Sequence, residues 1–120
     1  MTAFDPSFAV DVAQIELEDW PLDPAQVVEG APEVRGVVLH TSADGRIERG
    51  VWEHGVGVST DVEADELFVV VAGRATIEIE GGPTLEVGPG SAAVLRAGDR
   101  TVWRVHETLR KVFQVTNTAP

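Results

Sequence analysis

From Gly36 onward no apolar segment runs far before a turn signal stops it, and this punctuation is the strongest constraint on the fold. RGVVLHTS, RIERGVWEHGV, DELFVVVAG, ATIEIEGG, PTLEVGPG, SAAVLRAGDR, TVWRVHE and LRKVFQVTN follow one another as short β-rich pieces. ADGR between the first two is an Asp-Gly hairpin signature. Twelve glycines in 120 residues suit a chain of many tight turns. Alternation in ATIEIE and TLEV predicts strands wet on one face. FVVVA has no polar face, which predicts a strand covered on both sides. DELFVVVAG and ATIEIEGG read as two strands joined by a tight turn. The expectation is a single all-β domain, sandwich or barrel.

Residues 1–33 differ in texture. Pro6, Pro21, Pro24 and Pro32 interrupt any regular pattern, so this proline-rich lead reads as an N-terminal extension packing on a barrel of residues 34–120. Within it QIELEDW alternates well enough for one strand and DPAQVVEG suits a short helical turn. Trp20 is expected on the barrel's outside.

Twenty acidic against nine basic residues leave a net charge of −11. Such a surface repels phosphate backbones and anionic membranes, so neither nucleic acid nor membrane is an expected partner. Without cysteine there is no disulfide or thiolate site. No apolar run approaches a membrane span, and MTAFDPSFAVDV lacks the basic start of a signal peptide. The default expectation is a soluble cytoplasmic protein.

Two glycine-anchored blocks carry a resemblance. Glu66 precedes Gly73 by six intervening residues, and Gly90 precedes Gly98 by seven, within GPGSAAVLRAG. Together with GVWEHGVG (50–57), DELFVVVAGRATI (65–77), GPGSAAVLRAGDRTVWRV (88–105) and ETLRKVF (107–113), these resemble the cupin superfamily. The likeness is to its small cupin_3 subgroup, which also covers the (S)-ureidoglycine aminohydrolase-type cupins. The resemblance implies a double-stranded β-helix, the cupin jelly-roll barrel. In metal-binding cupins the first block supplies two histidines one residue apart and a glutamate, and the second block a third histidine. Aligned on the glycines, those histidine positions fall on Thr60, Val62 and Thr101, and the usual proline is Arg96; Glu66 alone is kept. One carboxylate, two hydroxyls and a valine cannot hold a transition metal tightly. No metal or other cofactor is expected.

The candidate site follows from this alignment. Trp52, Thr60, Val62, Glu66, Phe68, Thr101 and Trp103 would line a pocket for a small polar organic ligand, and Glu66 would be the proton-transfer group if the protein is an enzyme. Two readings of Glu66 stay open. Buried beside Phe68 and Trp103 it would have a raised pKa; alternatively it is a relic carboxylate bonded to Arg96, Arg104 or Thr101, or simply exposed at a wide mouth. Trp52, Phe68 and Trp103 suit an aromatic lining and core packing equally well. His40, His54 and His106 share no ligand spacing and read as surface or structural residues. Ser42, Ser59 and Ser91 lack a nucleophile elbow. EGGPTLEVGPG is turn chemistry rather than a phosphate loop. The acidic run from Asp61 to Glu66 reads as a solvated loop.

The leading functional expectation is therefore a small-molecule-binding cupin. A non-catalytic structural or sensor module is the alternative. A metal-dependent hydrolase of ureide type, recruiting His40 or His54, is the remote one. A homodimer is expected, with RKVFQV (110–115) a segment able to supply an edge contact.

Overall fold

The computed structural model describes residues 6–117. Its regular structure is β apart from one short 3-10 turn at Pro24–Gln26. The strands are β1 (Glu18–Asp19), β2 (Val27–Glu29), β3 (Val34–Thr41), β4 (Ile47–His54), β5 (Gly57–Val62), β6 (Asp65–Ile79), β7 (Thr84–Val87), β8 (Ala92–Leu95) and β9 (Arg100–Thr116). The order β1-β3-β4-β9-β5-β2 forms one run, and β6 pairs with β7, β8 and β9. The sheet curls round a core of Phe68, Val70, Ile77, Leu95, Trp103, Leu109 and Phe113, the jelly-roll barrel that the sequence implied.

Two long strands organise everything else. Asp65–Ala72 of β6 pairs with the C-terminal half of β9, and Arg74–Ile79 pairs with its N-terminal half. β4 and β5 flank the two halves of β9 on its other edge. DELFVVVAG and ATIEIE are thus one bent strand rather than two strands about a turn, and TVWRVHE and LRKVFQV are likewise one. Register shifts between Val70 and Ala75 make the bend. Gly73 sits inside it at φ 84°, and a Cβ there would stand 2.0 Å from the Thr108 carbonyl oxygen. A bulge beside a close backbone approach gives the same glycine signal as a turn, so sequence cannot separate them.

FVVVA also departs from expectation. Phe68 and Val70 are buried, but Leu67, Val69 and Val71 are 40–47% exposed, beside Val94 on β8 at 64%. The two-residue period of a strand holds whatever its composition, and among the described residues nothing covers this outer face. RKVFQV, expected to offer an edge, has none: Val112 pairs with Val51 on one side and Val69 on the other.

The N-terminal lead joins the sheet. β1 pairs with β3 and β2 with β5, and Gln26 Nε2 donates to the Thr60 carbonyl at 3.0 Å. Of QIELEDW only Glu18–Asp19 is strand. Trp20 is not on the outside: its ring lies over Gly36, where a Cβ would come within 2.2 Å of it, and it tilts against Phe113 at 6.5 Å. The absence of a side chain at Gly36 lets the tryptophan fold inward. Among the described residues no helix is long and apolar enough to cross a membrane.

Gly73→Ala tests the bend. The left-handed backbone and the Thr108 contact together predict a loss of at least about 2 kcal/mol by chemical denaturation.

Candidate functional site

The inner row of β9 sets the site. Alternation points Thr101, Trp103 and Val105, and then Leu109, Lys111 and Phe113, into the barrel. Lys111 is the only lysine in the chain, the other eight basic residues being arginines. It is also 5% exposed, in a class of side chain almost never buried without a partner. Its Nζ donates to Glu66 Oε2 at 2.7 Å. The same ammonium lies 4.3 Å from the ring centre of Trp52, 4.5 Å from Phe68 and 4.7 Å from Trp103. The rings themselves tilt against one another, Trp52 to Trp103 at 5.3 Å and Phe68 to Trp103 at 5.7 Å. One carboxylate and three aromatic faces thus replace the water the ammonium lost. Each desolvated ring contact contributes on the order of 1–2 kcal/mol.

Register explains how these groups converge. Trp52 and Val70 sit directly opposite Lys111 on its two neighbouring strands, and Phe68 sits opposite Phe113. Glu66 lies one inward position further along, opposite Val115. The four-carbon stem of Lys111 spans that distance and brings its charge to the carboxylate.

A second carboxylate stands nearby. Glu63 is buried, and its Oε2 accepts from the Thr101 hydroxyl at 2.7 Å and from Trp103 Nε1 at 3.0 Å. Burial pushes the Glu66 carboxyl up, with Lys111 pulling back and Glu63 adding to the rise. Burial likewise raises Glu63 against the pull of its two hydrogen bonds. Asp61 at the mouth is also raised by burial, against the hydrogen bond it accepts from the Val62 N–H.

These side chains line a cavity of about 200 Å³, walled by Trp20, Trp52 and Trp103 and ringed by Asp61, Glu63, Glu66 and Lys111. All three tryptophans of the chain face it. Of the expected pocket residues, Trp52, Glu66 and Trp103 line this space, and Phe68 and Thr101 stand immediately behind it. Thr60 and Val62 do not. They face an outer cleft with Gln26, Glu78 and Arg100, and Val62 is 58% exposed. The inward positions of this stretch are Ser59, Asp61 and Glu63, one residue out of step with the alignment. β5 ends at Val62 and β6 begins at Asp65; the two-residue break resets the alternation, and a one-residue slip reverses every face. The acidic run is therefore partly interior. Glu66's partner is Lys111, not Arg96, Arg104 or Thr101. The signal that could have found it is that lone lysine among valine and phenylalanine.

Of the three histidines only His54 approaches the site, its ring tilted against Trp52 at 5.4 Å. His54 is fully buried. Its Nδ1–H donates to the Gly55 carbonyl at 2.6 Å, so Nε2 accepts from the Ser59 hydroxyl at 2.8 Å. Burial lowers its pKa. His40 accepts from Arg49 at 3.0 Å on the exterior, and exposed His106 meets Thr76 at 2.8 Å. A transition metal does not fit this donor set. Glu66 is matched with an ammonium, Glu63 Oε2 is taken by two donors, and no imidazole joins them. Among the described residues no three His, Asp or Glu side chains converge as a metal cluster.

A curled jelly roll with its polar residues turned into the barrel mouth defines a cupin. The Cupin_3 family, described as an EutQ-like cupin domain, matches residues 41–113, and the chain belongs to it. A protein with unknown function of the DUF861 family from Pseudomonas syringae pv. tomato is 24% identical, with a TM-score of 0.78. That match covers 89% of this chain and 46% of the other, so the chain spans about half its length. The Clostridium difficile EutQ protein is 14% identical with a TM-score of 0.70, covering 93% of this chain and 88% of its own. The Schizosaccharomyces pombe Cnp3 cupin domain is 11% identical with a TM-score of 0.68, covering 92% and 74%. At these identities the likeness is one of fold. No curated protein matches the chain.

Removing one partner of a buried pair strands the other charge. Glu66→Gln or Lys111→Met should each lose roughly 3–5 kcal/mol in denaturant unfolding, and the double variant much less than the sum. An additive double variant would mean that the pair is not coupled. The pH dependence has a defined sign. A carboxyl raised above its ordinary value of 4.5 stabilises the fold below that pH and loses the contribution as pH rises through the folded pKa. Wild-type stability minus that of Glu63→Gln should therefore fall as pH is raised above 4.5, followed by urea midpoints at successive pH values.

Proposed function

We propose that the barrel cavity binds a small polar organic molecule. What supports this reading most directly is the meeting of all three tryptophans and the only lysine at one small space that also carries Asp61 and Glu63 at its rim. Aromatic walls with a few convergent polar groups are the usual make-up of a small-molecule site. A volume of about 200 Å³ equals roughly six or seven waters at about 30 Å³ each, so the occupant has about that many non-hydrogen atoms.

The charge pattern narrows its chemistry. Three carboxylates face one ammonium that is already matched by Glu66, so an anion meets net repulsion. Neutral donors such as polyols, amides and ureides, and small amines, suit the acceptors that Asp61 and Glu63 leave free. Ureides are the class that the aminohydrolase-type cupins of the sequence resemblance suggest. If the protein turns its ligand over, Glu66 is the proton carrier, already hydrogen-bonded to the Lys111 ammonium.

Because every tryptophan faces the cavity, intrinsic fluorescence reads its occupancy directly. A panel of small sugars, ureides, amines and acids should contain a compound that shifts the emission saturably and raises Tm. The neutral and cationic members should act and the acids should not. Asp61→Asn should weaken that compound at least tenfold while keeping the fold. A panel in which nothing perturbs either signal would favour a purely structural barrel.

A further inference from the structure

We propose that Lys111 forms a protonated imine with a small neutral aldehyde or ketone that enters the barrel cavity, with Glu66 carrying the protons. The inference deepens the reading just given, since it requires the cavity to admit a small molecule.

Four observations carry it. The chain meets every other need for a cation with arginine and puts its single lysine inside. An arginine would serve an ion pair and aromatic stacking as well or better, but only a lysine yields a nucleophilic amine. The Lys111 side chain lines an open space of about 200 Å³ instead of being sealed wholly in filled core. Its carboxylate partner is 2.7 Å away, within reach for direct proton transfer, and both side chains are 6–7% exposed. Burial also raises the affinity of Glu66 for a proton, which helps it take one from the ammonium.

The chemistry balances without any further reagent. Glu66 takes one proton from Nζ, leaving a neutral amine and a carboxylic acid. The nitrogen lone pair attacks the carbonyl carbon and a C–N bond forms. The carbonyl π pair moves to oxygen, and a proton shifts from nitrogen to that oxygen, giving a carbinolamine. Glu66 then returns its proton to the hydroxyl, which leaves as water while the nitrogen lone pair closes the C=N bond. One ammonium and one carbonyl become one iminium and one water. The positive charge ends where it began, opposite the Glu66 carboxylate and among Trp52, Phe68 and Trp103. The cage therefore stabilises the product as it stabilises the free ammonium. The carboxylates at the mouth favour a neutral carbonyl compound over a keto acid.

The test is reductive trapping with propanal and cyanoborohydride at pH 7 on the folded protein, read by peptide mass spectrometry. A single lysine leaves only the N-terminal amine as competitor. An ordinary solvated lysine, with a reference pKa near 10.4 against roughly 7.7–8.0 for an α-amine, labels more slowly than the N-terminus at this pH. We expect the reverse order: a propyl group on Lys111 at least tenfold faster than on the N-terminus, saturating with propanal. Glu66→Gln should slow Lys111 labelling at least tenfold, and pyruvate should label it poorly. Labelling of Lys111 slower than the N-terminus, or only in denaturant, would overturn the proposal, and this comparison in wild type decides alone should Glu66→Gln not fold. 1-Propanol separates the two readings. If it or propanal perturbs tryptophan emission while Lys111 stays unlabelled, the imine is refuted and the binding cavity stands. If neither perturbs emission and Lys111 stays unlabelled, both fall for this ligand class.

Discussion

The rest of the interior depends on one contact, the ammonium of Lys111 against the carboxylate of Glu66 at 2.7 Å. Neither charge is tolerable alone in a barrel this closed, because an unpaired buried ion costs several kcal/mol. Together they need a surround that replaces water, and Trp52, Phe68 and Trp103 supply it from three different strands. That requirement fixes the fold's details. β9 has to keep its inward row through the bend so that Trp103 and Lys111 share a face. β6 has to shift register around Gly73 so that Glu66 and Phe68 before the bend and Ala75 and Ile77 after it all face inward. Gly36 has to lack a side chain so that Trp20 can close the remaining wall.

The pair also gives the pocket its electrostatics. The chain carries a net charge of −11, and the cavity repeats that imbalance on a small scale, with Asp61, Glu63 and Glu66 about a single cation. Glu63 is held by a hydroxyl and an indole N–H, neutral donors that orient the carboxylate without cancelling its charge. An interior that is acidic, aromatic and supplied with its own cation differs in kind from the histidine-lined metal centre of other cupins. The glutamate that aligns with that centre is kept, but its partner comes from the same chain.

Much of this architecture was legible in the sequence. Strand punctuation, and the resemblance carried by the spacing of Glu66, Gly73, Gly90 and Gly98, pointed to the barrel, and the two-residue period of a strand puts Thr101 and Trp103 on one face. The failures have physical causes. Strand parity does not survive the break at Glu63 and Ala64, so the alignment gives Thr60 and Val62 the cavity positions that Asp61 and Glu63 occupy. A bulged glycine and a turn glycine look alike in one dimension, which hid the continuity of β6. RKVFQV reads as an edge because it is an apolar piece near the end of the sequence, which hides Lys111, and only the sheet order shows that strand to be central. The inward turn of Trp20 depends on the space over Gly36, a contact that no local pattern encodes.

A single lysine makes the central contact directly observable. In protein grown with ¹⁵N-lysine, the Nζ–H correlation of Lys111 should be visible at neutral pH and 25 °C, because burial slows exchange of its protons with water. Those protons should be shifted upfield by the three ring faces, and Glu66→Gln should move the resonance. An exchange-broadened signal, or one at the position of a solvated lysine and indifferent to Glu66→Gln, would contradict an ammonium held by Glu66 within the aromatic cage.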